Sequence, residues 1–385
     1  MESSEGLISG QQKQNGRLRS SESDNINTGC AEYLLNNDFS HMASKMAHNA
    51  EEFVRTVWMR GWQVVGHHSL PLWLKDNDFL LKGHRPQLNT FKACFKSVFR
   101  VHTETGNIWT HLLGCGAFFA ILVAHFLQPN SMLQWQDKLI ITFFFIGAVL
   151  CMGFSCFFHT VYCHSETIGR LFNKLDYAGI AFMVVGSFIP FIYYSFYCTL
   201  WTKIFYSVLI VFLGTMAIVV AMFDKFASPQ YRWLRAATFI ALGLSALVPC
   251  AHYMALNGYE SSVNDAAFGW LALMGLLYVF GAILYAVRIP ERIFPGKFDL
   301  WFQSHQIFHV FVVIAAFVHY VGVQRLTVFR LTRGDCSANV MVLPGVDHTL
   351  VDSQPHMTLD ANAYNDFDWI THVQRIVALT ADEPR

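Results

Sequence analysis

Charge is scarce in this chain, and neither sign prevails. Only 14% of the 385 residues are Asp, Glu, Lys or Arg, against about 25% in an ordinary soluble domain, and the formal net charge is zero. No basic stripe with interleaved aromatic residues occurs, so we expect no nucleic-acid partner. The nine cysteines include no CxxC pair, and no disulfide framework can be argued from them. Five are interpreted as small apolar residues in or at the edge of predicted helices: Cys115, Cys151, Cys156, Cys198 and Cys250.

An apolar run is also missing from the first 48 residues, which are rich in Ser, Asn and Gln. Such a segment cannot bury enough surface to offset its ordering entropy, so residues 1–48 are predicted to be disordered. They also lack the apolar core of a cleaved signal peptide. From residue 50 to 65 the pattern changes, because Phe53, Val57, Trp58 and Trp62 fall close to one helical face. This predicts an amphipathic helix within a juxtamembrane segment, residues 49–106.

Long hydrophobic runs fill the middle of the chain, and 54% of all residues are hydrophobic. Runs of about twenty apolar residues are long enough to cross the hydrocarbon of a bilayer as helices. The sequence therefore predicts an all-α bundle of seven transmembrane helices in residues 107–323. The predicted spans are 107–127, 138–159, 175–197, 204–223, 236–256, 266–287 and 304–323.

The short loops predict the orientation of this bundle. Eight Lys and Arg residues follow spans two, four and six, whereas two follow spans one, three and five. Positive charge collects on the cytoplasmic side, so we expect a cytoplasmic N-terminus and an extracellular C-terminus. The soluble tail, residues 324–385, would then lie outside, with a short amphipathic helix near residues 367–379. The inside set is Arg170, Lys174, Lys225, Arg232, Arg235, Arg288, Arg292 and Lys297, and the outside set is Lys138 and Lys203.

Polar residues from three predicted spans meet in the cytoplasmic layer of this topology. His305 and His309 are four residues apart, so their imidazoles lie one turn apart on one helical face. Ser155 and His159 have the same spacing at the inner end of span two, and Asp176 begins span three. Ionisable groups inside a membrane are costly and usually face a partner in the bundle interior.

A zinc ion would be such a partner, because neutral imidazole suits zinc and hydrolytic zinc has three protein ligands and one open position. In this interpretation His159, His305 and His309 bind the metal. Asp176 would take a proton from the attacking water, and Ser155 would orient the water or the tetrahedral oxygen. The alternative is a structural zinc, or a His–Asp hydrogen-bond cluster, that only pins the three spans together.

Several stretches carry a resemblance to a known family. They are His102–His111, Phe158–Glu166, Lys174–Tyr177, Arg288–Arg292, Phe294–Asp299 and Trp301–His309. Over residues 50 to 325 the chain closely resembles the adiponectin receptors of the progestin and adipoQ receptor family. The resemblance implies a seven-helix zinc protein with His159, His305 and His309 as ligands and Asp176 against the zinc-bound water. It also implies that Tyr177 and Arg235 lie at the lipid pocket.

The wider superfamily includes alkaline ceramidases with a similar pattern of Ser, His, Asp and paired His, so the implied reaction is hydrolysis of ceramide to sphingosine and fatty acid. Two other functions stay open at this point. One is a plasma-membrane receptor with an extracellular, adiponectin-like protein ligand and a cytoplasmic adaptor bound by its N-terminal region. The other is a regulator of membrane-lipid homeostasis whose zinc is structural.

Overall fold

The computed structural model describes residues 44–46, 48, 63–127, 133–264, 267–332 and 336. These belong to two compact units, Met1–Trp62 and Gln63–Arg385. Within the first unit, the described residues 44–46 and 48 are helical. The rest of the predicted disordered region, nearly all of the predicted amphipathic helix at 50–65 and the helix near 367–379 lie outside the described residues.

Among the described residues of the second unit, seven helical spans are long and apolar enough to cross a membrane, which confirms the predicted all-α class and the predicted number of spans. Within the described residues the only β pairing is an isolated bridge between Val65 and His84. A short helix, α1 (Phe91–Ser97), precedes the spans. The spans are α2 (Thr105–Leu127), α3 (Trp135–Val161), α4 (Glu166–Ser195), α5 (Leu200–Ala221), the pair α6 (Arg232–Leu244) and α7 (Leu247–Asn257), α8 (Phe268–Val287) and α9 (Ser304–Thr332).

Two helices extend well beyond the apolar runs that predicted them. Helix α4 begins at Glu166 rather than near 175. Its N-terminus is capped by the Ser165 hydroxyl, which accepts a hydrogen bond from the Ile168 amide at 3.5 Å. Helix α9 continues to Thr332 rather than ending near 323. Apolar runs mark the part of a helix that lies in hydrocarbon, whereas backbone hydrogen bonding carries the helix on until a cap or a turn ends it.

The fifth span is one membrane-length element, Arg232–Asn257, with an interruption inside it. Its two helices are separated by Ser245 and Ala246. Pro249 follows four residues after Ser245 and has no N–H to donate to the Ser245 carbonyl, which explains the break at this place. Pro190, in contrast, lies within the uninterrupted helix α4.

Glycines allow α3 and α4 to pack backbone against backbone. A methyl group added at Gly147 would lie 2.5 Å from the Phe182 carbonyl oxygen, and one added at Gly186 would lie 2.5 Å from the Phe143 carbonyl oxygen. Small residues at such a crossing let membrane helices approach closely. This close approach fixes the register of the two helices, α3 with Ser155 and His159 near its C-terminal end and α4 with Asp176 in its first half.

At the other end of α4 the structure corrects one interpretation of the cysteines. Cys198 is not an unpaired apolar residue, because it forms a disulfide with Cys336, 138 residues further along the chain. Close by, the Arg330 guanidinium lies over the Tyr197 ring at 4.0 Å. The bond thus joins the end of α4 to the chain that follows α9. The other four interpreted as apolar are free and at least partly buried: Cys115, Cys151, Cys156 and Cys250.

We expect Gly186→Ala to destabilise the bundle, because its methyl group would press on the backbone of α3. Overpacking of a tight core typically costs about 1–3 kcal/mol. Thermal unfolding in lipid nanodiscs measures the effect as a lower Tm. Gly116→Ala is the matched control, since nothing lies within 4 Å of a methyl group there. An unchanged Tm in Gly186→Ala would contradict the proposed packing of α3 on α4.

Candidate metal centre

Three imidazoles meet where the end of α3 faces the start of α9. His159 lies in the last turn of α3, and His305 and His309 lie in the first two turns of α9. The ring centroids are 4.8 Å apart for His159–His305, 4.9 Å for His159–His309 and 4.8 Å for His305–His309. One ring nitrogen from each residue lies within 4.8 Å of the other two, so the group can hold a metal ion. The structure thus brings together the three histidines that the sequence predicted as ligands.

The hydrogen bonds of these rings leave nitrogens free for a metal. Nδ1 of His159 lies 2.6 Å from the Glu104 carboxylate, and Nδ1 of His309 lies 3.2 Å from the Asn107 carbonyl oxygen. Nε2 of His159 is buried and has no hydrogen-bond partner among the described residues. A buried polar atom without a partner is destabilising, and a cation between the three rings would remove that penalty. The donor set, three imidazoles, suits zinc.

Asp176 and Ser155 border the same space. Ser155 precedes His159 by one turn of α3 and is 2% exposed, while Asp176 of α4 is 9% exposed. Both residues line one cavity together with the three histidines. Beside a candidate metal centre, a carboxylate can accept a proton from a water molecule. A hydroxyl can donate a hydrogen bond to an oxyanion.

The cavity behind this layer is large and mostly apolar. Its volume is about 1450 Å³, above the range of about 300–1,000 Å³ typical of sites for small molecules. It extends from Trp73 and Asp76, beside the histidines, to Met254 and Tyr259 near the opposite ends of the helices. Its apolar lining includes Ile180, Met183, Phe188, Phe239, Leu271 and Val279. Such a space fits a long apolar molecule with its polar end toward the histidines.

The two residues predicted at a lipid pocket lie together in this lining. The Arg235 guanidinium stands over the Tyr177 ring at 5.1 Å, and its Nη1 donates to the Ser228 carbonyl at 2.7 Å. Arg235 is 2% exposed. A buried guanidinium beside an apolar cavity is suited to a carboxylate or another polar lipid group.

Two buried charged residues outside the predicted set hold the helix ends. The guanidinium of Arg85 donates to the carbonyls of His159 and Thr160, the latter at 2.9 Å, and so caps the end of α3. The carboxylate of Glu291 accepts from the Ser304 amide at 2.7 Å and so caps the start of α9. It also accepts from the Asn77 side chain at 3.1 Å, which ties the juxtamembrane segment to the same place. These hydrogen bonds explain why buried charged residues lie before spans one and seven: Arg85 caps the end of span two, and Glu291 caps the start of span seven.

His111 also lies against the centre, although it is not one of the three. Its ring stacks on that of His309, with centroids 3.7 Å apart and an angle of 5° between the planes. His111 therefore packs on a candidate ligand.

Comparison with known proteins identifies the family of this chain. The family profile described as haemolysin-III related matches residues 99–320. The adiponectin receptor protein of Drosophila melanogaster is 52% identical over 303 residues, covering 79% of this chain and 68% of that protein. This chain belongs to the progestin and adipoQ receptor family. It is an adiponectin receptor-like integral membrane protein.

Two further members of the family are similar over a comparable share of the chain. Progestin and adipoQ receptor-like protein 1 of Caenorhabditis elegans is 52% identical over 270 residues, covering 70% of this chain and 62% of that protein. ADIPOR-like receptor IZH2 of Saccharomyces cerevisiae is 36% identical over 255 residues, covering 66% of this chain and 80% of that protein. The chain thus spans less than two thirds of the nematode relative's length.

A cluster of charges tethers the juxtamembrane segment at the mouth of the cavity. The half-exposed carboxylate of Asp76 pairs with Arg232 at the start of α6, and the Asp76 carbonyl accepts from Arg288 after α8. Partial burial opposes the charge of Asp76, but the nearby Arg232, Arg288 and Arg235 outweigh it and hold the pKa of Asp76 at about 2. Because that pKa is depressed in the folded protein, the pair stabilises above the unfolded value of about 4 and its contribution is lost as the pH falls toward 2.

We expect Asp76→Asn to lower the Tm by the same small amount at pH 8 and pH 5, and by less at pH 3. The pair is partly exposed, so the loss should be about 0.2–1 kcal/mol. Asp78→Asn is the control, since that side chain is 78% exposed and its described ionic neighbour, His67, lies 3.6 Å away. A Tm equal to that of the parent at all three pH values would contradict the tether.

Proposed function

We propose that this protein is a zinc-dependent hydrolase of lipid amides within an adiponectin receptor-like fold, and that it regulates lipid and fatty-acid metabolism. Ceramide is the proposed substrate, with sphingosine and a fatty acid as products. One observation carries the proposal: three imidazoles, with Nε2 of His159 lacking a hydrogen-bond partner among the described residues, line a mostly apolar cavity together with Asp176.

The metal would be held by His159, His305 and His309, which leaves one position open. When bound there, zinc would polarise an amide carbonyl and make a water molecule more acidic. Asp176 would accept the proton of the attacking water and return it to the leaving amine. Ser155 would donate a hydrogen bond to the oxygen that becomes negative in the transition state.

The rest of the cavity would bind and orient the lipid. The apolar lining would hold the acyl chain and exclude water from the amide bond. Arg235 and Tyr177 would bind the polar end of the lipid, and after hydrolysis the Arg235 guanidinium would stabilise the fatty-acid carboxylate. This assignment gives the buried Arg235 guanidinium a ligand in a mostly apolar cavity.

The proposed orientation puts the metal layer on the cytoplasmic side of the plasma membrane. The excess of Lys and Arg after spans two, four and six supports it. The disulfide supports this orientation independently. Cys198–Cys336 lies beyond the C-terminal ends of α4 and α9, away from the metal layer, and disulfides persist in oxidising compartments such as the cell exterior.

A receptor function is the second proposal, and the names of the relatives favour it. The Drosophila protein is named an adiponectin receptor. By analogy this chain would bind an adiponectin-like protein on its outer face and a cytoplasmic adaptor through its N-terminal region. Both functions can reside in one molecule if occupancy of the outer face changes turnover at the metal. A third reading, regulation of membrane-lipid homeostasis with a purely structural zinc, predicts no turnover at all.

Ceramide turnover by the purified protein in lipid, with bound zinc measured in the same samples, tests the proposal. His309→Ala should lose zinc and turnover together. Asp176→Asn should keep most of its zinc and lose about 10²–10⁴-fold in turnover, the usual contribution of a positioned general base. His252→Ala is the control, because His252 bonds to the Tyr206 hydroxyl at 3.0 Å in another part of the bundle.

Equal turnover in the parent protein and Asp176→Asn, over several acyl-chain lengths, would contradict Asp176 as the general base, and equal turnover in the parent and zinc-free His309→Ala would contradict the zinc-dependent hydrolase. Zinc in the parent without any turnover would instead favour the structural metal.

A further inference from the structure

We infer that Glu104 is a positioning residue of the metal centre: it selects the tautomer of His159 and, through Asn107, stabilises the orientation of His309. This inference rests on the metal site proposed above. It assigns a role to the polar residues that precede span one, which the proposed reaction does not use.

The contact between Glu104 and His159 defines which ring nitrogen can bind a metal. Oε2 of Glu104 lies 2.6 Å from Nδ1 of His159, and the two side chains are 14% and 3% exposed. An ionised carboxylate can only accept hydrogen bonds, so Nδ1 carries the hydrogen. Nε2 therefore presents a lone pair, and it is the nitrogen without a hydrogen-bond partner among the described residues.

Asn107 extends the same support to a second histidine. Its side-chain Nδ2 donates to Oε2 of Glu104 at 2.8 Å, which holds the carboxylate in place. Its backbone carbonyl accepts from Nδ1 of His309 at 3.2 Å, so Nε2 of that ring also presents a lone pair. One turn of α2 thus orients rings that belong to α3 and α9.

The turn that carries Glu104 is itself fixed by hydrogen bonds. The Glu104 amide donates to Nδ1 of His102 at 3.1 Å, and Nε2 of His102 donates to the Ser97 carbonyl at 3.0 Å. The Thr103 carbonyl accepts from the side chains of Gln303 at 2.6 Å and Gln306 at 3.2 Å. The start of α2 is therefore clamped to the start of α9, on either side of His305.

The arrangement matches a general feature of metal sites. A carboxylate on the far nitrogen of a ligating histidine fixes the ring and makes it a better donor, and its loss usually weakens metal binding about 10–100-fold. Glu104 lies behind the ring of His159 and acts through that ring rather than on a substrate. Its removal should therefore change metal affinity before it changes anything else.

Zinc affinity of the full-length protein in lipid tests this directly. The probe is zinc alone, titrated against a competing chelator. We expect Glu104→Ala to bind zinc about 10–100-fold more weakly, and Glu104→Gln to lose less because its amide oxygen still accepts a hydrogen bond. Glu166→Gln is the matched control, because that carboxylate is exposed and pairs with Arg170 one turn away.

Thermal unfolding of the zinc-free proteins separates positioning from simple stability. Zinc affinities equal to the parent in both Glu104 variants would overturn the inference, whatever their zinc-free Tm. A parent protein that binds no zinc would overturn both this inference and the metal centre. A parent that binds zinc but hydrolyses no ceramide, with weakened binding in Glu104→Ala, would support the inference while the hydrolase proposal fails.

Discussion

The constraint on which this structure depends is the meeting of three imidazoles, two buried and one partly buried, in one layer of a helical membrane bundle. A buried ring nitrogen without a hydrogen-bond partner is destabilising, and lipid cannot supply that partner. The two nitrogens of each ring have different roles in His159 and His309. Nδ1 of His159 and Nδ1 of His309 each have an oxygen acceptor, and the opposite sides of the rings are turned toward one another. A cation at that point would bind one nitrogen of each ring, including Nε2 of His159, which has no hydrogen-bond partner among the described residues.

Two buried charges at the neighbouring helix ends support the same arrangement. Arg85 caps the helix that ends beside His159, and Glu291 caps the helix that begins beside His305. Each is a buried charge, 3% and 0% exposed, that neutralises the dipole at a helix end. The glycine contacts between α3 and α4 then set the depth of Asp176 relative to His159. The precision of the centre thus comes from helix ends held at their backbone rather than from the histidines alone.

Most of the fold was predictable because a bilayer demands long apolar runs, and these appear directly in the sequence. The three histidines were predictable because i, i+4 spacing and topology together specify depth. The hydrogen bonds of Arg85 to Thr160, of Glu104 to His159 and of Glu291 to Ser304 and Asn77 were not, because they join residues at least 13 and up to 214 positions apart. The Cys198–Cys336 disulfide was not predicted for the same reason, since its cysteines are 138 residues apart. Apolarity also gave no sign of where α4 and α9 continue past the hydrocarbon.

The central claim is that the imidazole triangle is a zinc site, and X-ray absorption at the zinc K-edge tests it most directly. The parent protein, purified in lipid without added metal, should contain one zinc per chain. Its nearest neighbours should be nitrogen or oxygen atoms at about 2.0–2.1 Å, with the outer-shell scattering of imidazole rings. Protein that contains no zinc and takes none up, or a zinc surrounded by sulfur at about 2.3 Å, would contradict the account.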